Sequence, residues 1–331
     1  MSSRPVLVFI PGSWHKPTCY RKVIQILQDQ HNLKCVAVTL PSTQGDPNAT
    51  FKDDFYAARD AITSETTQGR NVIVISHSYG GMVGNSAVRG LTRPKSATIT
   101  SSNLSNTDTR TKKPDTGYVE ALVLIASGHT ITGFTFMDPF LGIAPPAWRV
   151  DKETGYATLV ADPREFFYHD LPEDEANYWV DQLTTQSLKS LFEGGEYSYA
   201  GWVDIPSWYI GTIEDRGLPV TVQRMGVSMA RSHGAVVHHT ELKSSHSPFL
   251  SMPDDVVEVI LDAVEAAGSG TSQVDLTSVL GAKKAEKYSA AMVRLTSPTT
   301  WPRFGVPLLV GRIVGYSLQV FMCLRRLWSR K

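Results

Sequence analysis

The stretch Asn71–Met82, NVIVISHSYGGM, limits what this chain can fold into more than any other. Val72–Ile75 is a short β-branched apolar run, which reads as a buried strand. Ser76-His77-Ser78-Tyr79-Gly80-Gly81 follows, and then a small-residue helical pattern. A strand that turns sharply into a helix brings two backbones close together, so the positions flanking the tip must be small. Here they are Ser76 and Gly80, two residues either side of Ser78. This is the nucleophile-elbow pattern Gly-x-Ser-x-Gly with a serine in its first position. A Ser/Gly-rich turn with no chemistry has the same local composition. The rest of the chain must therefore supply a base, an acid and oxyanion donors.

The chain around the elbow alternates strand and helix. Val6–Ile10 is a continuous apolar run, as expected for a strand covered on both faces. Tyr20, Val23, Ile24 and Leu27 mark one face of a helix, and Lys34–Leu40 is the second strand. After the loop Pro41–Asn48, Phe51, Phe55, Ala58 and Ile62 mark another helix. Asn71–Ile75 is the third strand, Gly80–Gly90 a helix and Val119–Ser127 a strand. Pro206–Gly211 and Ala235–Leu242 are strands, Thr221–Met229 and Asp254–Ala267 helices. This rhythm predicts an α/β fold, a doubly wound and mostly parallel sheet, with its core in 1–129 and 204–268. Two stretches break it. Residues 92–117 are rich in Ser, Thr, Asn and Lys and read as a flexible loop insertion. Residues 130–203 lack the βα rhythm, accumulate aromatics, and carry helical patterns at Pro172–Gln182 and Gln186–Phe192. They read as an inserted helical cap, most of whose aromatics form its own core.

Composition excludes some partners. Lys plus Arg and Asp plus Glu are both 32, so the net charge is zero and there is no basic field for nucleic acid. Cys19, Cys35 and Cys323 form no CxxC pair and no disulfide framework, which fits a reducing compartment. Val6–Ile10 is too short for a signal peptide and ends at Pro11-Gly12, so a cytoplasmic, non-secreted protein is expected. The C-terminal tail, 269–331, lies beyond the α/β pattern. Its stretch Phe304–Leu324 is apolar except for Arg312 and Gln319 and is followed by Arg325, Arg326, Arg330 and Lys331. A helix over about 304–328 has three readings: lying in a membrane interface, spanning a bilayer, or docking on its own domain or on a second copy in a homodimer.

A serine nucleophile needs a base within hydrogen-bond reach, an acid that orients the base, and N–H donors for the oxyanion. The strand Pro206–Gly211 runs into Thr212–Pro219, a loop holding Glu214 and Asp215; Asp215 is the expected acid and Glu214 the alternative. The strand Ala235–Leu242 runs into Lys243–Phe249, where His246 is the expected base. His233, His238 and His239 compete, but the last two lie within the strand and the first before it. The order Ser78, Asp215, His246 is the serine–acid–histidine order of an elbow hydrolase. The backbone N–H groups of Ser13, after the first strand, and of Tyr79, at the helix start, are the expected oxyanion donors. Trp14, His15, Phe136, Trp148, Phe167 and Trp179 are candidate pocket residues. No metal or organic cofactor is implied.

From Val6 to about Ala267 the chain resembles the α/β-hydrolase superfamily. In particular it resembles the group of plant methylesterases and hydroxynitrile lyases and related fungal and bacterial hydrolases. The motifs are PGSWH at 11–15, SHSYGG at 76–81, DPREFFYHDLPEDEANYW at 162–179, EDRGLP with Gln223-Arg224 at 214–224, and SSHSPFLSMP at 244–253. The resemblance implies the triad Ser78, Asp215 and His246, with Ser13 and Tyr79 at the oxyanion. Two positions depart from the group: Pro11-Gly12 stands for His-Gly, and Ser76 for the first elbow glycine. The group's lyases carry a threonine at the position of Gly12 and a lysine at that of Ser247, so cyanide-lyase chemistry is not expected. The expected function is a serine esterase acting on a small-to-medium lipophilic ester. A lyase or cyclase using the same site is the alternative, and a binding receptor a weaker one.

Overall fold

The computed structural model describes residues 4–93 and 116–268. Nearly all of the expected insertion at 92–117, and the whole tail 269–331 with its apolar stretch 304–328, lie outside the described residues.

The core alternates as its sequence predicts. β1 (Val6–Ile10) leads to α1 (Arg21–Asp29), then β2 (Cys35–Ala37), α2 (Phe51–Thr66), β3 (Val72–His77), α3 (Tyr79–Ala87) and β4 (Val119–Ile125). An inserted segment then carries β5 (Trp148–Asp151), β6 (Tyr156–Leu159), α4 (Pro163–Phe167), α5 (Glu173–Asp181) and α6 (Leu188–Phe192). The core resumes with β7 (Ser207–Thr212), α7 (Val220–Ser232), β8 (Val237–Leu242), α8 (Pro248–Ser251) and α9 (Pro253–Gly268).

Six strands form one sheet in the order β2-β1-β3-β4-β7-β8, and every pairing in it is parallel. All five residues of β1 are buried, which explains an apolar run with no alternation. β2 is shorter than its apolar stretch because it is an edge strand, paired among the described residues with β1 alone. Helix α1 packs against α9, and α2 against α3. Of the expected apolar faces, Tyr20, Val23 and Leu27 are buried with Ile24 partly so, and Phe51, Phe55, Ala58 and Ile62 are buried. Thr50 and Asp53 close a capping box at the start of α2, which fixes where that helix begins.

The chain leaves β1 for β2 on one side and returns to β3 on the other. The loops after β1 and β3 therefore meet at a topological switch point, the usual ligand crevice of an open α/β sheet. The inserted segment holds, besides its helices, the antiparallel hairpin β5–β6. Its strands are four residues each and mostly exposed or half-exposed, so no buried periodicity betrays them. Among the described residues no helix is long and apolar enough to cross a membrane.

Candidate active site

Ser78 sits at φ 51°, ψ −123°, a region costly for a residue with a Cβ, on the order of 1–3 kcal/mol. Its surroundings enforce that turn. The Ser78 N–H donates to Ile125 O at 3.0 Å, and Ser127 Oγ donates to Ser78 O at 2.8 Å. A Cβ at Gly80 would lie 2.2 Å from Pro11 O, so the helix start touches the chain just where it leaves β1 and only glycine fits. The same geometry explains Ser76. A Cβ at Gly84 would lie 2.2 Å from Ser76 Oγ, so a glycine one turn into α3 makes the room that the elbow's first residue takes. Residues 72–77 and 79–88 are buried, and Ser78 alone among them is half-exposed.

Asp215 follows β7 and is buried. Five donors converge on it. Its Oδ2 accepts from Thr212 Oγ1 at 2.6 Å, Gln223 Nε2 at 3.1 Å and His246 Nδ1 at 2.7 Å. Its Oδ1 accepts from the N–H groups of Gly217 and Leu218, both at 2.7 Å. Burial by itself raises this carboxyl, but the His246 imidazole and the donors hold it below the usual carboxylate range. An ionised Asp215 makes His246 Nδ1 the protonated nitrogen and leaves Nε2 as the basic one.

His246 follows β8 and is buried. His77, the neighbour of Ser78, donates from Nε2 to His246 O at 3.0 Å, and the two rings lie 4.7 Å apart. Burial, with repulsion from the neighbouring imidazoles His246 and His15, holds His77 well below the usual histidine range, so it stays neutral while it braces His246. The rivals fall elsewhere. Glu214 is exposed and pairs with Lys243 at 3.7 Å. His233 is exposed at the end of α7, and His238 and His239 are buried within β8.

The loop after β1 closes the other side. A Cβ at Gly12 would lie 3.0 Å from Ser78 Cβ and 2.8 Å from His77 Nδ1, so a side chain at position 12 requires the elbow to shift. Neither the Ser13 nor the Tyr79 N–H donates to a backbone carbonyl in a loop, turn or cap among the described residues. The Tyr79 N–H is one of the first N–H groups of α3, which have no partner within the helix. Trp14 has φ 62°; its Nε1 donates to Ala157 O at 2.9 Å, and its carbonyl accepts from Thr184 N at 2.8 Å. His15 donates from Nδ1 to Ser13 O at 2.7 Å and accepts from Tyr168 Oη at 2.8 Å. Burial brings its pKa down to about 4, so it is a neutral brace with both nitrogens engaged.

The candidate pocket residues therefore separate. Phe167 lies 5.8 Å from the His246 ring and 6.1 Å from Trp14. Trp148 lies 6.2 Å from Trp14, and Phe136 5.6 Å from Tyr79. Trp179 instead stacks under Arg21 at 5.8 Å. With His15 and Cys19 it lines a small hollow. His15 and Trp179 thus hold the loop and the insertion in place. Phe166, half-buried and 6.4 Å from His246, was not singled out by sequence. Two consecutive aromatics give no local signal as to which one faces the site. Gln223 and His77 stood inside quoted motifs, but nothing local showed what they would touch.

A family model described as "Alpha/beta hydrolase family" matches residues 7–259. "Alpha/beta hydrolase nvfD" of Aspergillus novofumigatus is 27% identical over 273 residues, covering 80% of this chain and 98% of that protein. "Probable hydrolase R7" of a Phoma species is 25% identical over 273 residues, covering 78% and 98%. Among solved structures, a pyrethroid hydrolase from Sphingobium faniae superposes with a TM-score of 0.57 at 20% identity, over 80% of this chain and 99% of that one. At that identity the likeness is one of fold.

Proposed function

Because the chain belongs to the alpha/beta hydrolase family, we propose that it is a serine hydrolase of the carboxylic-ester type, with Ser78, His246 and Asp215 as its triad. The observation that carries this reading is the 2.7 Å bond between His246 Nδ1 and Asp215 Oδ2, with His246 bound through its carbonyl to His77, the chain neighbour of a serine at φ 51°. His246 Nε2 takes the hydroxyl proton as Ser78 Oγ adds to the ester carbonyl. Asp215 holds the tautomer and stabilises the imidazolium. The N–H groups of Ser13 and Tyr79 receive the oxyanion. The imidazolium returns its proton to the leaving alkoxide, and water, deprotonated by His246, releases the acid. Segment 130–203 serves as the cap. Phe136, Trp148, Phe166 and Phe167 support a lipophilic acyl or alcohol group.

The test is fluorophosphonate labelling read by intact mass. Wild type gains one adduct and Ser78→Ala gains none. A wild type that stays unlabelled while an apolar ligand is shown to enter the pocket would sink the reading. A panel of p-nitrophenyl esters of increasing chain length then ranks the acyl group. A labelled enzyme that hydrolyses none of them acts as the lyase or cyclase alternative.

A further inference from the structure

Asp54 is a buried carboxylate with no part in the chemistry above. It projects from α2, is 0% exposed, and no ion pair is found for it among the described residues. Its Oδ2 accepts from Tyr79 Oη at 2.6 Å, and its Oδ1 from the Ser42 N–H at 2.9 Å. The Tyr79 hydroxyl is held protonated by burial and by the Asp54 charge, so it is the donor.

The position of Tyr79 gives this pair its interest. The residue is next to Ser78, and its backbone N–H stands at the elbow. Its ring is clasped on two sides, by Phe51 of α2 at 6.4 Å and by Phe136 of the insertion at 5.6 Å. A phenol fixed at its far end leaves its own Cα little freedom, because only two side-chain torsions separate them. Asp54 also reaches the insertion. Ser42 accepts Ser187 N at 3.0 Å through its carbonyl and Gln186 Nε2 at 3.1 Å through its hydroxyl. Gln186 Nε2 also donates to Ser190 Oγ at 2.6 Å.

We propose that Asp54 is a positioning residue: through the Tyr79 hydroxyl it sets the Tyr79 N–H for the oxyanion and ties that donor to insertion residues 186–190. This rests on the reading of Ser78 as nucleophile. Burying a carboxylate without a cation is unfavourable, and burial pushes Asp54 up to about 6. A neutral residue would serve better if packing were its only role.

Two near-isosteric variants test it, Tyr79→Phe and Asp54→Asn, on full-length protein shown to be folded by circular dichroism. Ser78 labelling of wild type comes first; its absence would remove the hydrolase reading itself. With labelling in hand, each variant should lower kcat about tenfold, with KM held within about twofold. Affinity for a trifluoromethyl ketone, which adds Ser78 Oγ and leaves an oxyanion, should fall by the same factor as kcat/KM. The double variant should lose no more than the worse single one, since both act through one bond. Unchanged kcat and ketone affinity, with only the thermal midpoint lowered, would overturn the proposal. So would a failure of both variants to fold, which would make the pair a folding element.

Discussion

Asp215 and Asp54 are both buried carboxylates, one bonded to His246 and the other to Tyr79, and their surroundings treat them in opposite ways. Asp215 receives five donors, one of them an imidazole, and is held below the usual range. Asp54 accepts from Ser42, through its N–H and its hydroxyl, and from Tyr79 Oη, no cation among them, and burial pushes it up to about 6. Burial opposes the charge at both. What separates them is how many donors, and how cationic a partner, the fold delivers. The first site favours a negative charge, which the proposed role of triad acid requires. The second sits where its charge is easily lost.

The largest expected effect tests the Asp215 side. Asp215→Asn should lower kcat by about 10⁴-fold while the protein still folds, because the amide favours the wrong His246 tautomer. Steady-state kinetics on the best p-nitrophenyl ester measure it. A loss below about tenfold would move the acid elsewhere, to Glu214 first.

Stability against pH should then have opposite signs at the two sites. The folded pKa of Asp215 lies below its unfolded value, so its contribution is present above the unfolded pKa and lost as pH falls through the folded one. The folded pKa of Asp54 lies above its unfolded value, so its contribution is full below about 4 and lost as pH rises through about 6. Urea unfolding of Asp54→Asn and wild type between pH 4 and pH 7 should show the variant gaining up to ~3 kcal/mol relative to wild type. A difference that does not change with pH would place Asp54 in an ordinary carboxylate environment.

Two smaller effects sharpen the donor count. The two N–H groups of Gln223 Nε2 are shared among Leu218 O at 2.6 Å, Thr212 Oγ1 at 2.8 Å and Asp215 Oδ2 at 3.1 Å, and its Oε1 accepts from Thr212 N. Gln223→Leu should lower kcat about tenfold, as the acid loses one donor and its loop loses its tether. Thr212→Val removes one donor and keeps the strand, so a loss of about threefold is expected. If the second exceeds the first, the hydroxyl, not the loop tether, dominates the setting of Asp215.

Local sequence carried much of the fold and site. Val6–Ile10 could only be a strand covered on both faces, and the residues around Ser78 could only make a tight strand-to-helix turn. Asp215 and His246 stood out because each follows a strand in a polar loop, in the right chain order. All of these are short-range signals: apolar period, turn chemistry and order along the chain. Tertiary structure alone decided which distant groups meet. His77 braces His246 across 169 residues, and Asp54 holds Tyr79 across 25. Gly84 makes room for Ser76, Phe166 faces the site, and Trp179 and His15 hold the loop. A hydrogen bond across the fold leaves no period in the sequence, and an aromatic run looks the same whichever ring turns inward. The elbow serine could therefore be read from its neighbours in the chain, whereas the groups packed around it could be read only from its neighbours in space.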